Sequence, residues 1–104
     1  MTSQELSKMR EAMIIANNYA MTFAHTDDGG SCNFDTPIIR IKRLTREQAE
    51  SLPLQVSKCY GGGGWWNVYC ALYGQANRRT MMAEAFARKM NELGFECSVY
   101  YMMD

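Results

Sequence analysis

The sequence predicts one α+β domain: an N-terminal helix followed by a ferredoxin-like β-α-β-β-α-β unit, with a four-stranded antiparallel sheet and helices packed on it. Three observations support this prediction. Apolar residues recur at three- and four-residue steps in two long segments, apolar and polar residues alternate in four short ones, and glycine, proline or capping residues separate them. The 104 residues, 47% hydrophobic and 21% charged, suit a single domain over 1–104 with its own core.

The first half of the chain is expected to form two helices and one strand. Residues 3–24 predict an amphipathic helix with a polar cap before it. Its apolar stripe consists of Leu6, Met9, Met13, Ala16, Ala20 and Phe23. Residues 37–43 (PIIRIKR) predict a strand. A T-x-x-Q capping box at Thr45 then begins a short helix, which Pro53 ends.

A β-hairpin is predicted in the middle of the chain. Residues 54–60 (LQVSKCY) and 65–72 (WWNVYCAL) read as strands on either side of the glycines at 61–64. Four glycines exceed what a tight turn needs, which indicates a loop that moves or a backbone that closely approaches something. A phosphate-cradling loop fits less well, because no lysine and serine or threonine follow and the glycines lead into a strand.

The last third is expected to form a long helix and a strand. Asn77 is the expected N-cap of a helix over 78–93, Gly94 is its C-cap glycine, and residues 95–102 (FECSVYYM) predict the last strand. The first helix is additional to the β-α-β-β-α-β unit, yet its apolar stripe must be buried. We therefore expect it either to cover the open face of the sheet or to join another subunit.

Charge and hydropathy argue against several classes of function. Eleven basic and eleven acidic residues give a net charge of zero, so the chain lacks the overall basic field of many nucleic-acid-binding proteins. It also lacks a window of about 18 apolar residues and a secretory signal pattern. We expect a cytoplasmic protein that does not interact with membranes.

The cysteines predict neither disulfides nor a metal site. Cys32, Cys59, Cys70 and Cys97 lie among apolar or strand-like neighbours and form no C-x-x-C pair, so we expect free thiols. A zinc site that includes His25 is an alternative, but the spacing differs from that of zinc fingers. Since His25 is the sole histidine and no signature links it to a cysteine nucleophile, we expect a protein that is not an enzyme and has no cofactor.

The segment GQANRRT at 74–80 predicts an anion site. Arg78 and Arg79 lie in the first turn of a helix, where the dipole favours acidic residues, and a bound anion would reverse that unfavourable interaction. Gln75 and Asn77 would add polar groups, and Asp35 is placed to orient an arginine. The alternative is that both arginines pair with surface acids.

One face of the predicted sheet combines aromatic and basic side chains. Alternation gives this face Trp65, Asn67, Tyr69, Tyr100, Arg40 and Lys42. Trp66 belongs to the opposite, core-facing side. Aromatic residues interleaved with basic ones are typical of surfaces on which bases stack. The alternative is that the first helix covers this face and the aromatic rings are ordinary packing.

The segments SCNFDTP, GQANRRT and VYYMMD resemble a group of small uncharacterised proteins of bacteriophages and prophages from gut Firmicutes. The resemblance spans most of residues 27–104. It implies a phage setting in the cytoplasm of the host cell, where proteins of this size often disarm defence. Some such proteins sequester cyclic nucleotides or related signals, and others are anti-CRISPR inhibitors that bind a defence protein.

The expected function is therefore anti-defence binding of a phosphate-bearing small molecule, such as a cyclic nucleotide, by a homo-oligomer. Arg78 and Arg79 would hold the phosphate. Trp65, Trp66 or Tyr69 would stack on a base, and the base edge would be read by Asn67, Gln75 or Asn77. The alternatives are an anti-CRISPR-like inhibitor of a host defence protein and a nucleic-acid-binding module.

Overall fold

The computed structural model describes residues 1–23, 35–70 and 76–101, with Ala76 and Asn77 described by their backbone alone. The elements in chain order are α1 (Ser3–Met21), β1 (Thr36–Arg40), α2 (Arg46–Glu50), β2 (Gln55–Lys58), β3 (Trp65–Tyr69), α3 (Ala76–Glu92) and β4 (Cys97–Tyr100). This order and the α+β class are confirmed. The predictions on His25, Cys32, Gln75 and the end of the third strand lie outside the described residues.

The four strands form one antiparallel sheet in the order β2-β3-β1-β4. Strand β3 therefore lies between β1 and β2, and β2 and β4 are the edges. In the register, Ile38 pairs with Asn67 on one side and with Ser98 on the other, while Ser57 is the β2 partner of Asn67. Strands β1 and β2 are shorter than predicted, because their ladders end before the flanking turns, and β4 begins at Cys97 rather than at residue 95.

Capping boxes begin both α1 and α2. The Thr2 hydroxyl accepts from the backbone N–H of Glu5, and the Glu5 carboxylate accepts from the N–H of Thr2. Thr45 and Gln48 make the same reciprocal pair, as the T-x-x-Q pattern predicts, at 3.1 Å in both directions. Each box satisfies two backbone donors that the first helical turn leaves without a partner.

Helix α3 ends in the predicted glycine cap. Gly94 has φ +96°, its N–H donates to the carbonyl of Asn91, and the N–H of Phe95 donates to the carbonyl of Met90. These two bonds are those of a Schellman motif. The prediction for the other end was wrong in position: α3 already begins at Ala76, so Asn77 lies in the first turn rather than capping it.

Both long helices contribute to one core on one side of the sheet. Helix α1 packs against α3, and its buried residues join those of α3, β1 and β3. The largest fully buried side chains are Phe86, Met9, Met13, Ile39, Met82, Met90, Val68 and Pro37. The amphipathic stripe of α1 thus finds its partner within the protomer, and α1 leaves the opposite face of the sheet uncovered.

The helix arrangement departs from a ferredoxin-like fold in one respect. That fold packs both helices of its repeated unit on the sheet. Here α2 has five residues and none of them is buried. The helix beside α3 is α1 instead, because α1 alone offers several turns of apolar surface.

Candidate functional site

The sheet face opposite the two long helices carries the residues that the alternation grouped together. We call it the open face. Its members are Thr36, Ile38, Arg40, Ser57, Trp65, Asn67, Tyr69, Ser98 and Tyr100. They alternate with core residues such as Ile39 and Val68, and no described helix packs on them. Trp65, Asn67 and Tyr69 are successive outward positions of β3, so the two aromatic rings flank the amide.

A cavity of about 700 Å³ lies on the open face. We call it the open-face cavity. Its lining comprises Thr36, Ile38, Cys59, Tyr60, Gly61, Gly62, Trp65, Asn67, Tyr69, Arg79 and Tyr100. Four aromatic rings, one amide and one guanidinium thus share one concave surface. This mixture of apolar walls and few polar groups is typical of small-ligand sites.

A short hydrogen-bond network links three polar side chains beside the cavity. The hydroxyl groups of Ser57 and Tyr69 lie 2.9 Å apart, and either can donate. Nδ2 of Asn67 donates to the same Ser57 oxygen at 3.5 Å. Because Ser57 and Asn67 are direct cross-strand partners, the pairing of β2 with β3 sets this contact.

Arg79 reaches the cavity from the first turn of α3. Its Nε donates to the backbone carbonyl of Asp35 at 3.0 Å, and the hydroxyl of the next residue, Thr80, donates to the Asp35 carboxylate at 2.6 Å. Asp35 is 4% exposed and immediately precedes β1. Asp35 thus contacts an arginine through its backbone carbonyl, whereas its carboxylate accepts from Thr80.

The glycine loop forms one rim of the cavity. Gly61, Gly62, Gly63 and Gly64 all have φ between +74° and +101°, a region that residues with a Cβ rarely adopt. A Cβ at Gly61 or Gly62 would meet no atom within 4 Å, so conformation and not crowding requires glycine there. Tyr60, fully exposed, stands beside these two glycines. The rim therefore offers bare backbone next to an aromatic ring.

Several residues predicted for the site or its sheet face do not line this cavity, and Arg40 is one of them, although it lies on the open face. Trp66 is 8% exposed and packs on the core side, so it does not share the open-face cavity with Trp65. Lys42 lies in the turn after β1 and borders a different hollow beside the N-terminus, so its placement with Arg40 was wrong. Arg78 is half-buried in α3 and does not line the cavity that its neighbour Arg79 lines.

Trp66 instead borders a groove on the core side, near the edge strand β2. The groove lies between the α2 region and β2 and has a volume of about 690 Å³. Its lining combines leucine, valine and alanine side chains with the polar or charged Arg46, Glu50, Gln55 and Lys58. The ammonium group of Lys58 lies 5.8 Å from the centroid of the Trp66 ring, within the range of a cation–π contact. The two tryptophans, adjacent in sequence, therefore serve opposite sides of the sheet.

The described cysteines are free thiols of low reactivity. Cys59, Cys70 and Cys97 form no disulfide, as predicted. Burial raises the pKa of Cys70 and of Cys97 to about 12, and it also raises the pKa of Cys59, which lines the cavity. Thiols held in the protonated form are poor nucleophiles and poor metal ligands. Among the described residues, no group of histidine, cysteine and acidic side chains is arranged to hold a metal.

Sequence reasoning missed several contributors to the site, including Thr36 and Ile38, which line the open-face cavity from β1. Ser57 and Tyr60 were not singled out, although both lie in the predicted strand over 54–60. The pairing of Ser57 with Asn67 could have been reached by folding the hairpin about its glycines and matching polar positions across it. Tyr60 gave no signal beyond its position next to Gly61.

In comparisons with known families, with characterised proteins and with solved structures, nothing matches this chain. None of the helices in the described ranges combines the length and apolar character needed to cross a bilayer. The class of protein is an α+β domain with an open antiparallel sheet.

Proposed function

We propose that this protein binds, rather than transforms, a small ligand with a planar ring and a phosphate, such as a cyclic nucleotide. In the setting that the sequence resemblance implies, it would sequester this ligand as a phage anti-defence protein. The observation that carries the proposal is the meeting of Trp65, Tyr69 and Tyr100 with Arg79 in one cavity.

The residues that line the cavity include groups suited to the planar ring and to the phosphate of such a ligand. Stacking of a base on an aromatic side chain contributes about 1–3 kcal/mol to binding, whichever base is involved. The guanidinium of Arg79 suits the geometry of phosphate oxygens. The backbone at Gly61 and Gly62 is open to the cavity, so a ligand can approach it without meeting a side chain.

A homo-oligomer remains part of this proposal. The open-face cavity is a concave surface rather than an enclosed chamber, and tight small-ligand sites bury most of the ligand. A second protomer that covers the open face would supply the missing walls. Native mass spectrometry of freshly purified protein tests this, because it reports both the subunit number and any small molecule retained through purification.

Calorimetry against a panel of cyclic and linear nucleotides tests the ligand class. We expect binding by the wild type, at least tenfold weaker binding by Arg79→Ala, and nearly unchanged binding by the matched variant Arg78→Ala. The two arginines are neighbours in α3, but Arg79 alone lines the cavity. A panel that gives no binding, or affinity that depends on Arg78 and not on Arg79, would overturn the proposal.

A second candidate function is binding of single-stranded nucleic acid on the open face. The specific observation in its favour is that Trp65 and Tyr69 lie on a central strand of a four-stranded antiparallel sheet, with Tyr100 on the β4 edge strand. Sheets of this kind stack two or three successive bases in RNA-recognition modules. Affinity that rises with oligonucleotide length and falls steeply with salt would favour this candidate over a mononucleotide ligand.

A further inference from the structure

We infer that Asn67, held in one orientation by Ser57 and Tyr69, selects a ring that carries an amino group beside a ring-nitrogen acceptor, the edge shared by adenine and cytosine. This inference rests on the proposed function and specifies which nucleotides the open-face cavity accepts. The observation behind it is the hydrogen-bond network of these three side chains, which joins β2 to β3 beside the cavity.

The network constrains the rotation of the Asn67 amide in one of its two arrangements, the one in which the Ser57 hydroxyl donates to Tyr69. When the Ser57 hydroxyl donates to Tyr69, the Ser57 oxygen can only accept from its other neighbour. The group that faces it from Asn67 is then the Nδ2 amide, at 3.5 Å. Because Oδ1 and Nδ2 diverge from the same carbon, Oδ1 is turned away from β2. Ser57 does not line the cavity, whereas Asn67 and Tyr69 do.

Asn67 lies at the position where the edge of a stacked ring is read. It stands between Trp65 and Tyr69 on the outward side of β3, and its β1 neighbour, Ile38, is apolar. A ring stacked on either aromatic side chain would thus bring its edge to this amide. The amide offers the acceptor Oδ1 and the second hydrogen of Nδ2, so the complementary edge has a donor next to an acceptor.

Adenine and cytosine provide that edge, as an exocyclic amino group beside an unprotonated ring nitrogen. Asparagine makes a paired contact of this kind with adenine in nucleic-acid recognition. Hypoxanthine and uracil reverse the pattern, since a carbonyl replaces the amino group and the ring nitrogen carries a proton. They would fit only if the Asn67 amide or the ring itself turned over. The first turn requires the Ser57–Tyr69 bond to reverse its direction, and the second would move the phosphate away from Arg79.

The first test compares matched ligands on the wild-type protein by calorimetry. Cyclic AMP is compared with cyclic IMP, and cyclic CMP with cyclic UMP, since each pair differs in this one edge. We expect the amino-bearing member to bind at least about fivefold more tightly, the lower end of what one paired base contact discriminates. Equal affinities within both pairs would overturn the inference and leave the proposed function intact. No binding by any of the four would overturn both.

The second test attributes the selectivity to the network. Asn67→Ala should remove the preference within each pair, and Ser57→Ala should reduce it by improving the binding of the deaminated member. Ser98→Ala is the matched control, because Ser98 lies on the same face but outside the cavity, and it should keep the wild-type preference. Circular dichroism verifies that each variant is folded. A preference that persists in Asn67→Ala would contradict the inference.

Discussion

Thr80 donates a 2.6 Å hydrogen bond from its hydroxyl to the carboxylate of Asp35, 45 residues away in the chain. The bond joins the first turn of α3 to the residue that precedes β1. Arg79 makes a parallel contact with the backbone of Asp35, so the two bonds together fix the wall of the open-face cavity that the guanidinium forms. The position of this cavity-lining arginine is therefore set by a buried acid that itself does not line the cavity.

Removal of the Thr80 hydroxyl should destabilise the fold. Thr80→Val keeps the shape of the side chain and removes a donor to a buried carboxylate, and hydrogen bonds to charged groups contribute about 1.5–3 kcal/mol. Urea unfolding measures the free energy of unfolding. Thr22→Val is the control, because the Thr22 hydroxyl donates at an exposed helix end, and it should change stability by less than about 0.5 kcal/mol. Equal effects of the two substitutions would contradict this account of Asp35.

Substitutions in the glycine loop can distinguish the stability cost of backbone conformation from that of steric crowding. Gly62 has φ +76°, and a Cβ there would meet no atom within 4 Å. Gly62→Ala should therefore cost about 1–2 kcal/mol through the left-handed conformation alone. Gly62→Asn should cost less despite the larger side chain, because asparagine tolerates this conformation better. Thermal unfolding of both variants checks the order, and a greater cost for asparagine would show that space and not φ decides.

Local features of the fold were predictable because their causes lie within a few residues. The T-x-x-Q sequence at Thr45 forms its capping box, and Gly94 ends α3, since each needs only neighbouring backbone groups. The alternation in β3 likewise put Trp65, Asn67 and Tyr69 on one side. A period of two specifies which residues share a face, and this does not depend on the rest of the fold.

The relationships that complete the site were not predictable in the same way. The contact of Arg79 with Asp35 spans 44 residues and follows from how α3 crosses the start of β1. The location of α1 could not be predicted either, because an apolar stripe requires burial without specifying a partner. Two partners were considered for it, and the structure shows a third, α3. The periodicity of the sequence predicts individual helices and strands, whereas the site depends on how these elements pack against one another.

The thiols should differ in their reactivity in the folded protein. Cys70 and Cys97 are buried and their pKa is raised to about 12, whereas Cys59 is partly exposed at the cavity. Iodoacetamide at neutral pH, followed by peptide mass mapping, should therefore label Cys59 before the other two. Addition of urea should bring all three to similar rates. Early labelling of Cys70 or Cys97 without urea would contradict the burial described here.

Because of Cys70 and Cys97, we expect the free energy of unfolding to decrease at alkaline pH. Their pKa of about 12 in the folded state lies above the ordinary thiol pKa of 9.0, so the folded state retains protons that the unfolded state releases. The stabilisation is therefore fully present below pH 9 and is lost as the pH rises towards 12. Urea midpoints measured from pH 8 to pH 11 should fall, and they should fall less in Cys97→Ala once its lower starting stability is subtracted. A parallel decline in both proteins would argue against this cause.

Substitutions of the two adjacent tryptophans should affect ligand binding and stability separately. Trp65 lies in the open-face cavity, and Trp66 is buried on the core side of the same strand. Trp65→Phe leaves Trp66 as the one remaining indole, and Trp66→Phe leaves Trp65, since the chain has two tryptophans. Emission from Trp65 should lie at longer wavelength and be quenched more strongly by acrylamide.

Trp66→Ala should cost about 3–5 kcal/mol of unfolding free energy, as expected for a large core residue. Trp65→Ala should cost far less, yet weaken nucleotide binding by the factor expected for one stacking contact. If Trp66→Phe weakened binding more than Trp65→Phe, the ligand would belong to the groove beside β2 and not to the open face.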